Sequence, residues 1–149
     1  MRETITAALK AATKAQDKRR ISTLRLIAAA IKDRDIAARG VGKSEATDAE
    51  LLELFAKMIK QREESVKIYA DAGRADLAKQ EAEEIDIIRE YLPKQLSETD
   101  TQNAIAEAIA ETGASSVKDM GKVMAALKSR YAGQMDFAKA SALVRAKLG

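Results

Sequence analysis

The stretch of sequence that decides the fold runs from Lys57 to Leu96 and reads KMIKQREESVKIYADAGRADLAKQEAEEIDIIREYLPKQL. On both sides of Gly73, apolar residues recur at intervals of three and four, the spacing of a helix with one apolar face. Gly73 accepts the left-handed conformation that commonly follows a helix C-terminus, and Pro93 lacks the N–H that a continuing helix needs. The stretch therefore predicts two long helices joined by a tight turn, the second of them ending at Pro93.

Charged residues lie among the apolar ones on the face that these two helices would share. If the helices fold back at Gly73, Arg62 lies roughly opposite Glu84, with Glu81 one turn away. Opposite charges at such positions favour one register of two antiparallel helices. We interpret the three residues as a structural ion-pair network; a ligand-binding or catalytic role for them is the alternative.

Two more helices are predicted before this hairpin. They cover Arg2 to about Ala15 and Lys18 to Ala38, and each has apolar residues at helical spacing. Asp17 either caps the second helix or lies inside one continuous helix, and Gly40-Val41-Gly42 breaks the pattern. A capping-box pair, Thr47 and Glu50, precedes the hairpin. Four helices close a bundle, so we expect a four-helix bundle-like subdomain over residues 1–93.

After Pro93 the sequence changes to three shorter helical segments. Their start and stop signals are the caps Ser97, Ser116 with Asp119, and Asp136, and the terminating glycines Gly113 and Gly133. We expect these segments to form a small three-helix tail subdomain over residues 94–149.

Composition favours an all-α fold. Alanine makes up about a fifth of the chain, aromatic residues only 3%, and there is one proline, which suits helices better than strands. The absence of cysteine excludes disulfides and thiolate chemistry, and the absence of histidine removes the commonest general base and metal ligand. No phosphate-binding loop or dinucleotide fingerprint is present. We therefore expect no catalytic residue, no metal site and no cofactor.

The N-terminal residues MRETITAALKAATKAQDKRR contain no continuous apolar core, so they do not resemble a secretory signal. No segment approaches the roughly 20 apolar residues that span a bilayer. We expect a cytoplasmic protein without a membrane partner.

Charge is distributed unevenly along the chain. Residues 1–40 carry 10 basic and 4 acidic side chains, and residues 116–149 carry 7 and 2. Residues 80–115 carry 2 basic and 9 acidic side chains. The basic ends either contact a polyanion, dock on the acidic middle or form solvated helix faces.

The basic C-terminal segment contains a glycine inside an apparent helix, where glycine costs about 1 kcal/mol relative to alanine. Gly121 indicates either close helix packing or the close approach of a partner such as a nucleic-acid backbone. Lysines and arginines without interleaved aromatic residues are typical of contacts to phosphate and shape. The segment therefore includes candidate nucleic-acid contacts, and these are Lys118, Gly121, Lys122, Lys128, Arg130, Gly133, Lys139 and Arg145.

Three strings of sequence resemble the YqeY family, which is similar to the C-terminal region of GatB, a component of the tRNA-dependent amidotransferase. They are LRLIAAAIKDR at 24–34, KQREESVKIYADAGRADLAKQEAEEIDIIREYLPKQLS at 60–97 and MGKVMAALKSRYAGQMDFAKASALVRAKL at 120–148. The resemblance implies a helical bundle followed by a three-helix tail. In the amidotransferase, the corresponding tail helps to hold the tRNA, and the chemistry belongs to other parts of the complex. Gly121, Lys122, Gly133 and Asp136 match the tail motif of the family.

Three functions follow from these observations. The first is a non-catalytic accessory module that binds tRNA or another structured RNA through phosphates and shape. The second is a helical protein-interaction module of the translation machinery, with a translation-related protein as its partner. The third is a carbon–nitrogen ligase with glutamine as amido donor, which the family label suggests but no visible active site supports.

Overall fold

The computed structural model describes every residue from Met1 to Gly149 and contains helices but no strand. The α-helices are α1 (Arg2–Ala15), α2 (Lys18–Gly40), α3 (Asp48–Asp71), α4 (Ala75–Arg89), α5 (Glu98–Thr112), α6 (Met120–Tyr131) and α7 (Phe137–Leu148). A short 3₁₀ turn, Val117–Asp119, precedes α6. The prediction of an all-α protein is therefore confirmed. The chain divides into two compact units, here called the N-terminal unit (Met1–Leu92) and the tail unit (Pro93–Gly149).

The turn between α1 and α2 resolves the alternatives for Asp17. Gln16 adopts a left-handed conformation with φ 57°, and the Asp17 carboxylate accepts a hydrogen bond from the Arg20 backbone N–H at 3.1 Å. Asp17 is thus the N-cap of a new helix. The two helices run antiparallel, because Arg2 at the start of α1 donates from Nε to the Asp35 carboxylate near the end of α2, at 3.1 Å.

The hairpin of α3 and α4 has the predicted register. Thr47 and Glu50 form the complete capping box, and Gly73 occupies the turn with φ 75°. The Arg62 Nε lies 3.0 Å from Glu84 Oε2 and 4.0 Å from Glu81 Oε2. The predicted ion-pair network is confirmed as a contact between the two helices.

The predicted end of α4 at Pro93 is wrong, because the helix ends at Arg89. Residues 90–92 form a turn in which the Tyr91 and Leu92 N–H groups bond three residues back, at 3.1 Å each. Proline disfavours helical geometry in the residue before it, and a tight last turn satisfies the carbonyls that the helix leaves free.

Each unit has its own apolar core. Leu24, Ile27, Leu51, Phe55 and Ile88 are wholly buried in the N-terminal unit. The tail unit encloses Ile105, Val123, Leu127, Ala140 and Val144 to the same extent. These residues recur at helical spacing in their segments, which is why the sequence locates both cores.

Helix ends in the tail unit agree with the sequence except at α6. Ser97 accepts from the Asp100 N–H at 3.0 Å, and Gly113 is left-handed with φ 67°. Ser116, however, makes no side-chain capping bond. The Asp119 carboxylate instead accepts from the Ser115 N–H at 3.0 Å, so the chain turns through a 3₁₀ segment before α6 begins.

Candidate nucleic-acid interface

Charge is segregated between the helices of the tail unit. Helix α5 contains four carboxylates and no basic residue, whereas α6 and α7 together contain six cationic residues and no carboxylate. The cationic residues are Lys122, Lys128, Arg130, Lys139, Arg145 and Lys147. Within the tail unit, the positive charge is thus concentrated on α6 and α7.

Four of the eight predicted contact residues in this unit are cations that are free to meet an anion. Lys118, Lys122, Lys128 and Arg145 are exposed, and none forms an ion pair within the chain. Arg130 differs, because its guanidinium pairs with the Glu111 carboxylate of α5. That pair raises the pKa of Arg130, through its hydrogen bond to Glu111 first, and leaves this residue less available to a ligand than the lysines.

Gly121 lies in the first turn of α6 and is exposed. A Cβ atom built there would meet no atom within 4 Å, so of the two alternatives for this glycine, close helix packing does not apply. Ala125 and Lys128, also exposed, follow at helical spacing of four and three. The face of α6 between Lys122 and Lys128 is therefore smooth enough for another molecule to approach its backbone.

Gly133, which the sequence analysis includes among the candidate nucleic-acid contacts, has a structural role. It is buried, its φ is 74°, and its carbonyl accepts a hydrogen bond from the Gln95 side-chain amide. Only glycine adopts this conformation without strain. Gly133 thus shapes the turn between α6 and α7 and does not face a ligand.

The N-termini of α6 and α7 differ in their capping. At α7, the Asp136 carboxylate accepts from the N–H groups of Ala138 and Lys139, at 2.9 and 3.3 Å. At α6, no side chain caps the helix. The nearby Asp119 carboxyl has a lowered pKa, chiefly because the Ser115 N–H hydrogen-bonds to it, so it stays ionised beside Lys122.

A pocket in the tail unit was not foreseen from the sequence. The Leu96 N–H donates to the Gln134 carbonyl at 2.9 Å, which brings the segment before α5 against the turn before α7. The pocket beside this contact is also lined by Glu98 and Lys139. Residues far apart along the chain form it, so no local sequence pattern could indicate it.

The basic N-terminal end of the chain partly docks on the acidic middle, which was one of the alternatives for these charges. Arg19 pairs with Glu83 at 3.2 Å, and Arg20 pairs with Glu90 at 2.7 Å. These arginines of α2 therefore neutralise acidic side chains at α4.

The chain has no cluster of three acidic side chains placed to hold a metal ion. None of its helices is long and apolar enough to cross a bilayer.

Several curated fungal proteins share sequence with this chain. Altered inheritance of mitochondria protein 41, mitochondrial, from Lachancea thermotolerans is 37% identical over 84 residues, 56% of this chain and 43% of that protein. The proteins of the same name from Saccharomyces cerevisiae and Vanderwaltozyma polyspora are 33% and 34% identical over 84 residues, in each case 44% of their length. The chain thus matches less than half the length of these relatives.

The names of these relatives contradict the expected cytoplasmic location, because they describe mitochondrial proteins. The expectation rested on the lack of an apolar signal and of a membrane span. That test addresses secretion and membrane insertion, whereas mitochondrial transit peptides are amphipathic and basic. It therefore cannot choose between the cytoplasm and an organelle.

The family comparison covers far more of the chain than these relatives do. The family described as Yqey-like protein matches residues 2–148, which includes both units and every helix. The three strings that carry the resemblance all fall within the match. The chain belongs to the YqeY-like protein family.

Proposed function

We propose that this protein is a non-catalytic module that binds tRNA or another structured RNA along the basic faces of α6 and α7. The observation that carries the proposal is the charge of these helices, six cationic residues without a single carboxylate. Cationic side chains that release counterions from phosphates supply most of the affinity of such interfaces. The unpaired Lys118, Lys122, Lys128 and Arg145 supply these contacts, together with Lys139.

The side chains on these faces of α6 and α7 favour recognition of RNA through its phosphates and its shape. Tyr131 and Phe137, the aromatic residues of α6 and α7, are only partly exposed and pack against the tail core. They do not form a stacking platform of the kind that binds successive bases. Folded RNA, with its closely spaced phosphates, is therefore a better ligand than an extended strand for these helix faces.

The smooth face of α6 supports the same ligand. Gly121 and Ala125 present almost no side chain between Lys122 and Lys128. An RNA backbone can approach such a surface closely while the two ammonium groups meet its phosphates. The similarity of the family to the tRNA-holding tail of GatB supports tRNA as the first RNA to test.

The test is a tRNA-binding titration by fluorescence anisotropy with matched charge reversals. Lys122→Glu with Lys128→Glu is expected to weaken binding at least about tenfold, because two phosphate contacts are replaced by repulsion. Lys10→Glu with Lys14→Glu, on an exposed face of α1, changes the net charge equally and is expected to have a much smaller effect. Equal losses in both variants would reject the assignment of the site to α6.

A second candidate is a protein-interaction module, and one observation favours it. Leu26 and Ile36 lie on the outer side of α2 with 47% and 53% of their surface exposed. Pull-down after nuclease treatment tests this function. A translation protein that is recovered by the wild type and lost with Leu26→Asp and Ile36→Asp would establish it.

A further inference from the structure

The pocket of the tail unit has the dimensions of a ligand site. Its volume is about 610 Å³, within the range of about 300 to 1,000 Å³ that is typical of small-molecule pockets. Its apolar lining residues include Leu96, Met135 and Leu143, and Met135 is only 6% exposed. Flat aliphatic and thioether surfaces of this kind contact the faces of planar rings.

Several polar groups of the pocket are already engaged in holding its walls together. The Gln95 amide donates to the Gly133 carbonyl, the Asp136 carboxylate caps α7, and the Thr101 hydroxyl donates to the Ser97 carbonyl at 2.9 Å. These bonds fix the segment before α5 and the turn before α7. The pocket is consequently formed before any ligand binds.

Three other polar groups remain for a ligand. The half-buried Gln134 side chain makes no hydrogen bond within the chain, and the exposed Glu98 carboxylate forms no ion pair. A carboxylate only accepts hydrogen bonds, whereas an amide both donates and accepts. Lys139 adds one cation at the same pocket, and the backbone of α7 continues from it along the basic helix face.

We propose that this pocket takes one unstacked base of a bound RNA, with guanine as its preferred base, and this proposal rests on the proposed RNA binding. The Watson–Crick edge of guanine has two adjacent N–H donors, which suit the Glu98 carboxylate, next to a carbonyl that suits the Gln134 amide. Adenine lacks the carbonyl, and its single amino donor satisfies the carboxylate only in part. The phosphate of the same nucleotide lies at Lys139, in line with the phosphates held by α6 and α7.

The ligand is thus a nucleotide and not a free anion or a peptide. An anion alone would leave the apolar walls of Leu96 and Leu143 uncovered. A basic peptide would suit Glu98 but would be repelled by Lys139 and the neighbouring cationic helices. The second carboxylate of the pocket, Asp136, already accepts from two N–H groups of α7. A base with its attached phosphate satisfies the apolar, accepting and cationic parts of the pocket together.

The experiment compares two hairpin oligoribonucleotides, one with an unpaired guanosine in its loop and one with an adenosine at the same place, by fluorescence anisotropy on the full chain. The guanosine oligonucleotide is expected to bind more tightly by about fivefold or more, the lower end of what one two-bond base contact discriminates. Glu98→Gln and Gln134→Ala should each abolish this preference. Lys10→Ala, an exposed cationic residue of α1 outside both the pocket and the basic faces of α6 and α7, should preserve it.

The outcomes separate this inference from the RNA-binding proposal. Equal affinity for the two oligonucleotides, or a preference that survives both pocket variants, overturns the base pocket. Continued tRNA binding under that outcome leaves the proposed function standing. Titration of GMP against the ¹³C-labelled methyl group of Met135 gives an independent readout, and an unchanged methyl signal also overturns the inference. Both pocket variants lie outside the buried core, and thermal melting followed by circular dichroism confirms that they are folded.

Discussion

At the scale of single residues, one guanidinium is shared unequally by two carboxylates. Glu84 is nearly buried, with 7% of its side chain exposed, and lies 3.0 Å from Arg62. Glu81 is 21% exposed and lies 4.0 Å from the same nitrogen. Its pKa is raised, first by burial and then by the neighbouring Glu84 charge. The ionised form of Glu81 is therefore disfavoured by folding, while Glu84 pairs closely with Arg62.

Neutralising Glu84 and neutralising Glu81 are expected to have different effects on stability. Glu84→Gln should lower the free energy of unfolding by about 3 kcal/mol, because it leaves the partly buried Arg62 without its close partner. Glu81→Gln should leave the free energy of unfolding at pH 7 unchanged or raise it, because it removes a carboxylate whose pKa folding has raised. Urea titrations of both variants measure the difference. A larger loss from Glu81→Gln than from Glu84→Gln would contradict this account.

The acid sensitivity of the N-terminal unit depends on Asp35. The hydrogen bond from Arg2, followed by that from the Ala46 N–H, lowers the pKa of Asp35. A carboxyl with a lowered folded pKa stabilises the protein above its unfolded pKa of about 3.9, and that stability is lost as the pH falls through the folded value. Asp35→Asn should therefore lower the melting temperature at pH 7, and the difference from wild type should shrink below about pH 4.

The exposed Asp33 provides the control for this measurement, since it is two residues away and forms no ion pair. Asp33→Asn should change the melting temperature little across the same pH range. A constant difference between wild type and Asp35→Asn from neutral to acid pH would contradict the role given to the Arg2 pair.

At the scale of helices, the sequence predicts what depends on neighbours along the chain. The caps at Thr47, Ser97 and Asp136 and the left-handed Gly73 are local features, and the structure has all of them. Helix α4 ends before Pro93 because proline restricts Leu92 and the preceding residues form a tight turn with hydrogen bonds three residues back. At α6, the Asp119 carboxylate accepts a hydrogen bond from the Ser115 N–H. The predicted cap of Ser116 with Asp119 does not include this bond.

Two glycines are expected to respond in opposite ways to alanine. Gly73→Ala should destabilise the protein by about 1 kcal/mol or more, because the turn requires a left-handed residue. Gly121→Ala should stabilise the protein by up to about 1 kcal/mol, because the site is helical and has open space. Chemical denaturation measures both.

The same Gly121→Ala variant separates stability from function. A methyl group on the smooth face of α6 should hinder the approach of an RNA backbone, so tRNA affinity should fall while stability rises. A rise in both would show that the glycine does not serve the interface.

At the scale of the whole molecule, the site was harder to predict than the fold. Lys122 and Lys128 stand out in the sequence as candidate contacts because the helical segment that contains them has basic residues and no acidic one. The sequence does not distinguish Arg130 from these two lysines, because the ion pair of Arg130 with Glu111 joins two different helices. The burial of Gly133 and the pocket beside Gln134 likewise result from contacts between distant segments, which neither composition nor spacing records.

The separate cores predict that the two units are independent domains. A fragment of residues 93–149 should be helical and melt cooperatively, although a core of this size gives only marginal stability. A fragment of residues 1–92 should behave in the same way with a higher melting temperature. Circular dichroism of both fragments measures this. A tail fragment that is unfolded at low temperature would show that the units are not independent domains.

The most direct test of the central claim is the salt dependence of tRNA binding by the full chain. If α6 and α7 contact phosphates, the logarithm of the affinity should fall linearly with the logarithm of the salt concentration between about 50 and 200 mM. The slope should correspond to the release of several counterions. Lys122→Glu with Lys128→Glu should reduce that slope by about two. A flat salt dependence, or no tRNA binding at about 50 mM salt, would contradict the account.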